Sequence, residues 1–103
     1  MTPQDAGASS ADALVVAVGG GIGALVVHTP ATFSGAEIEV VPEAGGVAPT
    51  HTVVHERRLG GGRRVFAGVF PSLPAGRYLF SAGCGPRPPV TVPDGGVVEV
   101  DWR

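Results

Sequence analysis

The sequence predicts an all-β domain, an antiparallel β-sandwich of about seven to eight strands, on three observations. Seventeen glycines and ten prolines in 103 residues interrupt the chain too often for long helices. Between these breakers lie short apolar runs of strand length at regular spacing. In Glu37-Ile38-Glu39-Val40, and again from Val98 to Trp102, large apolar residues alternate with acidic ones, the period of a strand packed on one face. The same glycine and proline content would suit a disordered chain, but valine is abundant and the net charge is only −2.

The elements follow in order. Residues 1–11 are small, polar and aperiodic and read as a disordered tail, leaving 12–103 as a single domain. Eight strand candidates are bounded by breakers: Ala13 to Val18, Gly23 to His28, Ala36 to Val41, His51 to Arg57, Arg64 to Phe70, Arg77 to Ala82, Pro89 to Val92, and Val97 to Trp102. Gly19 to Gly23 reads as a glycine turn between the first two, and the last strand closes a sheet. Leu59-Gly60-Gly61-Gly62 and Pro93-Asp94-Gly95-Gly96 read as hairpin loops. Alternation and size place Leu25, Val27, Ile38, Val40, Val65, Val69, Leu73, Tyr78, Phe80, Val98 and Trp102 in the core.

The most informative stretch runs from Val69 to Phe80. Pro71 and Pro74 remove two ladder donors, and Gly76 relieves the backbone before Arg77, Tyr78, Leu79 and Phe80 resume a strand pattern. This is a β-sandwich corner. The residues Phe70, Leu73, Pro74, Gly76 and Tyr78 fit an F-x-x-L-P-x-G-x-Y junction that resembles that of transthyretin-like (prealbumin-like) domains, which include carboxypeptidase regulatory-like and Cna B-type modules. The resemblance covers about ten residues and implies a fold. Some transthyretin-like proteins hydrolyse 5-hydroxyisourate and carry a C-terminal Tyr-Arg-Gly-Ser signature. This chain ends Val100-Asp101-Trp102-Arg103, so the resemblance carries over no catalytic residue.

Several function classes are disfavoured by the residues themselves. Gly19, Gly21 and Ala24 satisfy a G-x-G-x-x-A dinucleotide loop, but Val26, Val27 and Pro30 follow where that loop requires a helix, so no cofactor is expected. Near-neutral charge argues against nucleic acid. No apolar run reaches the ~20 residues of a membrane span, and no basic, then apolar leader opens the chain, so a cytoplasmic protein is expected. Cys84 is the one cysteine and has no intrachain disulfide partner. All seven basic residues are arginine, which fits a GC-rich genome rather than a particular chemistry.

Three constellations remain. His51 and His55, four apart on one strand face, would with His28 form a metal site, but no carboxylate clearly accompanies them and no metal is assigned. Ser34, Ser72 and Ser81 lack the setting of a nucleophile. Arg57, Arg58, Arg63 and Arg64 flank the glycine hairpin and gather four guanidinium groups around one tip. The expectation is therefore a noncatalytic protein-binding or accessory module, presenting Arg57, Arg58, Arg63 and Arg64, with the Pro86 to Pro89 loop as second surface, to a protein partner. Edge or face association would be its route to homo-oligomers. The alternatives are a histidine-based metal-binding protein and a small transthyretin-like hydrolase.

Overall fold

The computed structural model describes residues 19–103. They form eight strands: β1 (Ile22–Thr29), β2 (Glu37–Pro42), β3 (Thr50–Val53), β4 (His55–Arg58), β5 (Arg64–Pro74), β6 (Gly76–Phe80), β7 (Val90–Val92) and β8 (Val97–Asp101), with single 3-10 turns as the only helical pieces. Two four-stranded sheets, ordered β4-β5-β1-β8 and β3-β2-β6-β7, pack into a β-sandwich. Every pairing is antiparallel except that of β1 with β8, which run parallel. The expected strand Ala13 to Val18 lies outside the described residues.

The core between the sheets is built from Leu25, Val27, Ile38, Val40, Val54, Phe70, Leu73, Tyr78, Val90 and Val92. In β2 the alternation does what it predicts: Ile38 and Val40 are buried while Glu37 is exposed and Glu39 half-exposed. Phe80, Val98 and Trp102 also face this core but stay partly exposed at its margin. Val65 and Val69 are buried as well, yet Val69 belongs to a second cluster with Val26 and Ala67, across the sheet from the main core.

Three connections differ from the sequence reading. The expected strand His51 to Arg57 is two strands, because the chain leaves one sheet for the other at Val54. That residue is wholly buried, and its backbone is held by bonds from Val54 N–H to Ala36 C=O (2.8 Å) and from Gly35 N–H to Val54 C=O (2.9 Å). The second expected hairpin, Pro93 to Gly96, is a sheet-crossing turn, since β7 and β8 belong to different sheets. Alternation tells which side of a strand is apolar but not which sheet supplies its neighbours.

The third difference lies at the corner. β5 does not stop at Phe70 but runs through both prolines to Pro74, and the chain turns at Ala75 into β6 of the opposite sheet. The ladder tolerates this because β4 ends opposite Ala67, leaving residues 68–74 paired to β1 alone. Register with β1 slips between Gly23 and Leu25, so that Pro71 and Ser72 form a bulge, where a missing N–H is least costly. Tyr78 then locks the corner by donating from its hydroxyl to the Pro74 carbonyl at 2.7 Å. Burial raises the Tyr78 pKa, since the phenolate would be desolvated there.

Candidate binding surface at the arginine hairpin

β4 and β5 form a four-pair antiparallel ladder in which Arg58 faces Arg64, Arg57 faces Val65, Glu56 faces Phe66 and His55 faces Ala67. Leu59 N–H closes the loop on the Arg63 carbonyl at 2.8 Å. Gly61 and Gly62 both sit at φ +78°, a conformation that glycine adopts without strain. The hairpin is thus a defined projection from the sheet.

The register divides the four guanidinium groups. Arg58 and Arg64 lie directly opposite each other, where like charges repel, and Glu56 on the same face relieves them at 3.7 and 3.5 Å. Both stay open to solvent, and the Arg64 guanidinium lies 5.9 Å from the Phe66 ring centre. Arg57 points to the other side of the ladder, half-buried, and its Nε has no hydrogen-bond partner. Arg63 stands exposed at the tip. Four arginines against one glutamate give this segment three net positive charges on a chain whose net charge is −2. The hairpin and the body are therefore of opposite sign.

The Pro86 to Pro89 loop is arranged differently. Arg87 folds back onto the sandwich, its guanidinium 4.1 Å from the Trp102 ring centre and 6.0 Å from that of Phe33, with Nε donating to the Cys84 carbonyl at 3.2 Å. Phe33 and Phe80 pack on Trp102 at ring separations of 6.1 and 5.0 Å. This charged side chain is spent on fastening its own loop, worth about 1–2 kcal/mol where a cation–π contact is partly desolvated. Sequence reasoning missed the stack, because Arg87 and Trp102 approach only through the sandwich topology.

The histidines do not converge. His28, on β1, bonds Glu99 through Nε2 at 2.6 Å, and His51, on β3, pairs with Glu39 at 2.7 Å. His51 and His55 fall in different sheets, because the strand expected to carry both divides at Val54. Among the described residues no group of three or more His, Cys, Asp and Glu side chains is placed to hold a metal. Cys84 is half-buried with its sulfur 4.0 Å from the Glu39 carbonyl oxygen, and Ser81 donates to the Glu39 carboxylate. Asp101 has its pKa lowered, first by the hydrogen bond from the Arg103 side chain.

One cleft of about 210 Å³ opens beside the corner, lined by Pro42, Val47, Pro74, Gly76, Arg77 and Tyr78 among others. Its walls are mainly apolar, and Arg77 at its rim pairs with Glu43 at 3.1 Å. The sequence carried no signal for it, since the segment between β2 and β3 meets the corner only in three dimensions. At the Gly19 turn, Gly21 N–H donates to Asp94 and Ala75 N–H donates to the Gly21 carbonyl, so the loop is knitted into its neighbours as a turn. Among the described residues no helix is long and apolar enough to cross a membrane. Comparison with family models, curated proteins and solved structures finds no match to this chain.

Proposed function

We propose that this chain is a noncatalytic protein-binding or accessory module whose arginine hairpin docks on an acidic surface of a protein partner. The observation that carries the reading is the separation of charge: a projecting hairpin with three net positive charges stands on a body of the opposite sign. Such a dipole orients an approaching acidic surface before contact, which raises the encounter rate more than the final affinity. Exposed guanidinium forks then meet carboxylates in two-point geometry that lysine does not reproduce. The hairpin is preferred to the Pro86 to Pro89 loop because Arg87 is already engaged on Trp102.

The sandwich itself is proposed to be of transthyretin-like type, supported by the Phe70 to Tyr78 junction, which carries the chain from one sheet to the other and closes on the Tyr78 to Pro74 hydrogen bond. A cytoplasmic setting suits the single thiol of Cys84, which has no disulfide partner in its own chain. Selection of displayed peptides on the immobilised protein tests the docking reading. Asp- and Glu-rich peptides should be enriched by the natural chain and lost when Arg57, Arg58, Arg63 and Arg64 are all changed to Ser. Enrichment of apolar peptides, equal in both proteins, would transfer the site to the cleft beside Tyr78.

A further inference from the structure

Two four-stranded sheets leave four edges, at β3, β4, β7 and β8. Three of them are poor templates for a further strand. β7 is three residues long and bounded by Pro89 and Pro93, which have no N–H to give. β3 and β4 are four residues each and both stop at Val54, whose N–H and C=O are already bound to Ala36 and Gly35. β8 is the longest of the four and holds neither proline nor glycine. Among the described residues no strand pairs with its open side.

The phase of that edge is fixed by its bonds to β1. Ala24 N–H donates to the Gly96 carbonyl at 3.0 Å and Trp102 N–H to the His28 carbonyl at 2.8 Å, in a parallel register that sets Val26 beside Glu99. Such a ladder uses every second residue of β8, so the backbones of Val98 and Val100 turn to β1 while those of Val97, Glu99 and Asp101 turn away. The last three present a row of donors and acceptors with no strand beside them. Their side chains share one face of the sheet, where Val97 is 39 % exposed and Glu99 and Asp101 are open to solvent. Val98, Val100 and Trp102 point to the other face and lie half-covered at the margin of the core.

We propose that β8 receives an extended segment of a partner protein as a fifth strand of its sheet, with basic side chains opposite Glu99 and Asp101 and apolar ones between them. This site is independent of the arginine hairpin, which lies at the other edge of the same sheet. An antiparallel segment exchanges two backbone bonds with each of Val97, Glu99 and Asp101. The residues it sets opposite them stand on the acidic face, which favours lysine or arginine. The residues in between stand beside Val98 and Val100 and extend the core margin when they are apolar. Arg103 already donates to Asp101 through Nε at 3.0 Å, the pairing this face accepts. A second copy of the chain fits less well. Two β8 strands paired antiparallel along their whole length would set Glu99 directly against Glu99, a destabilising contact of like charges. β4 of another copy is too short, since the bond from Leu59 N–H to the Arg63 carbonyl turns Arg57 toward β5 and leaves Glu56 and Arg58 alone facing outward.

The test is amide hydrogen exchange of the full chain, read by NMR, with a capped peptide of alternating lysine and valine as the probe. In the protein alone, Val97, Glu99 and Asp101 should exchange faster than Val98 and Val100, and saturating peptide should slow those three ~tenfold or more. A peptide of the same composition with its lysines grouped should not slow them, nor should one N-methylated at the residues that face β8. In Glu99→Lys/Asp101→Lys the preference should pass to a peptide of alternating glutamate and valine, with slow amides in β1 showing that the variant is folded. Equal protection by the grouped or the N-methylated peptide would reduce the effect to net charge and overturn the proposal. Slow exchange of the three amides in the protein alone would show an edge already paired, and protection that grows with protein concentration would give the edge to a second copy. Either result overturns it as well.

Discussion

Gly23→Ala is the sharpest perturbation of this sandwich. A Cβ at Gly23 would collide with the Pro93 carbonyl oxygen, come within 2.8 Å of Val92 Cγ1 and within 3.0 Å of the Gly96 carbonyl oxygen. Two of these three are backbone atoms, which have no rotamer to yield. Relief requires β1 to separate from the turn joining β7 and β8, and the bonds from Ala24 N–H to Gly96 C=O and from Gly95 N–H to Ile22 C=O go with it. Overpacking costs about 1–3 kcal/mol and each lost backbone bond about 1 kcal/mol, so the expected loss is about 3–5 kcal/mol. For a domain of this size that lowers Tm by at least ~12 °C, at ~4–8 °C per kcal/mol. Gly83→Ala, where nothing lies within 4 Å of the added carbon, is the control and should change stability by less than ~0.5 kcal/mol. Urea and thermal denaturation of both variants read the difference. A Gly23→Ala protein within ~0.5 kcal/mol of the natural chain would refute the close approach of β1 to that turn.

Ile38→Ala, removing a wholly enclosed side chain from the inter-sheet core, should cost about 2–5 kcal/mol in urea denaturation; a loss under ~0.5 kcal/mol would mean the β2 register is wrong. Tyr78 is the only tyrosine, so its phenolate absorbance should appear above the ordinary value of 10.0 in the folded protein. Because the folded pKa is the higher one, its contribution is fully present below the unfolded pKa and is lost as pH rises through the folded pKa, a dependence that Tyr78→Phe should abolish. Arg63→Glu/Arg64→Glu should leave stability within ~1 kcal/mol of the natural chain, since the pairs lost are solvent-exposed; a larger drop in chemical denaturation would mean that the tip holds the fold rather than a partner. Calorimetric titration with NAD, FAD and ATP should give no saturable heat, because the Gly19 turn leads into β1 and not into a helix N-terminus.

What could be read from the residues and what could not divide along physical lines. Glu37-Ile38-Glu39-Val40 announced its own faces, because burial on one side of a strand imprints a period of two. The β4 to β5 hairpin was equally legible, since its glycines and flanking runs are local. Val54 was not, for nothing in a wholly buried valine tells whether the next residue pairs in the same sheet or the other. Alternation and size single out Leu25 and Val27 in β1 but not Val26, which is buried on the opposite face of the same strand. At the candidate site, the grouping of the four arginines was visible, but their division by Glu56 and the β4 to β5 register was not. The capture of Arg87 by Trp102 depends on contacts distant in sequence, and so had no signature to find.

The docking reading is tested most directly by the rate at which the protein captures an acidic peptide selected on it, measured across a range of ionic strength. Opposite charges on hairpin and ligand steer encounter, so the association rate of the natural chain should fall steeply as salt is added while the dissociation rate changes little. In Arg63→Glu/Arg64→Glu the association should be slow at low salt and nearly independent of it. Equal rates and equal salt slopes in the two proteins would contradict the account and return the hairpin arginines to the protection of a sheet edge.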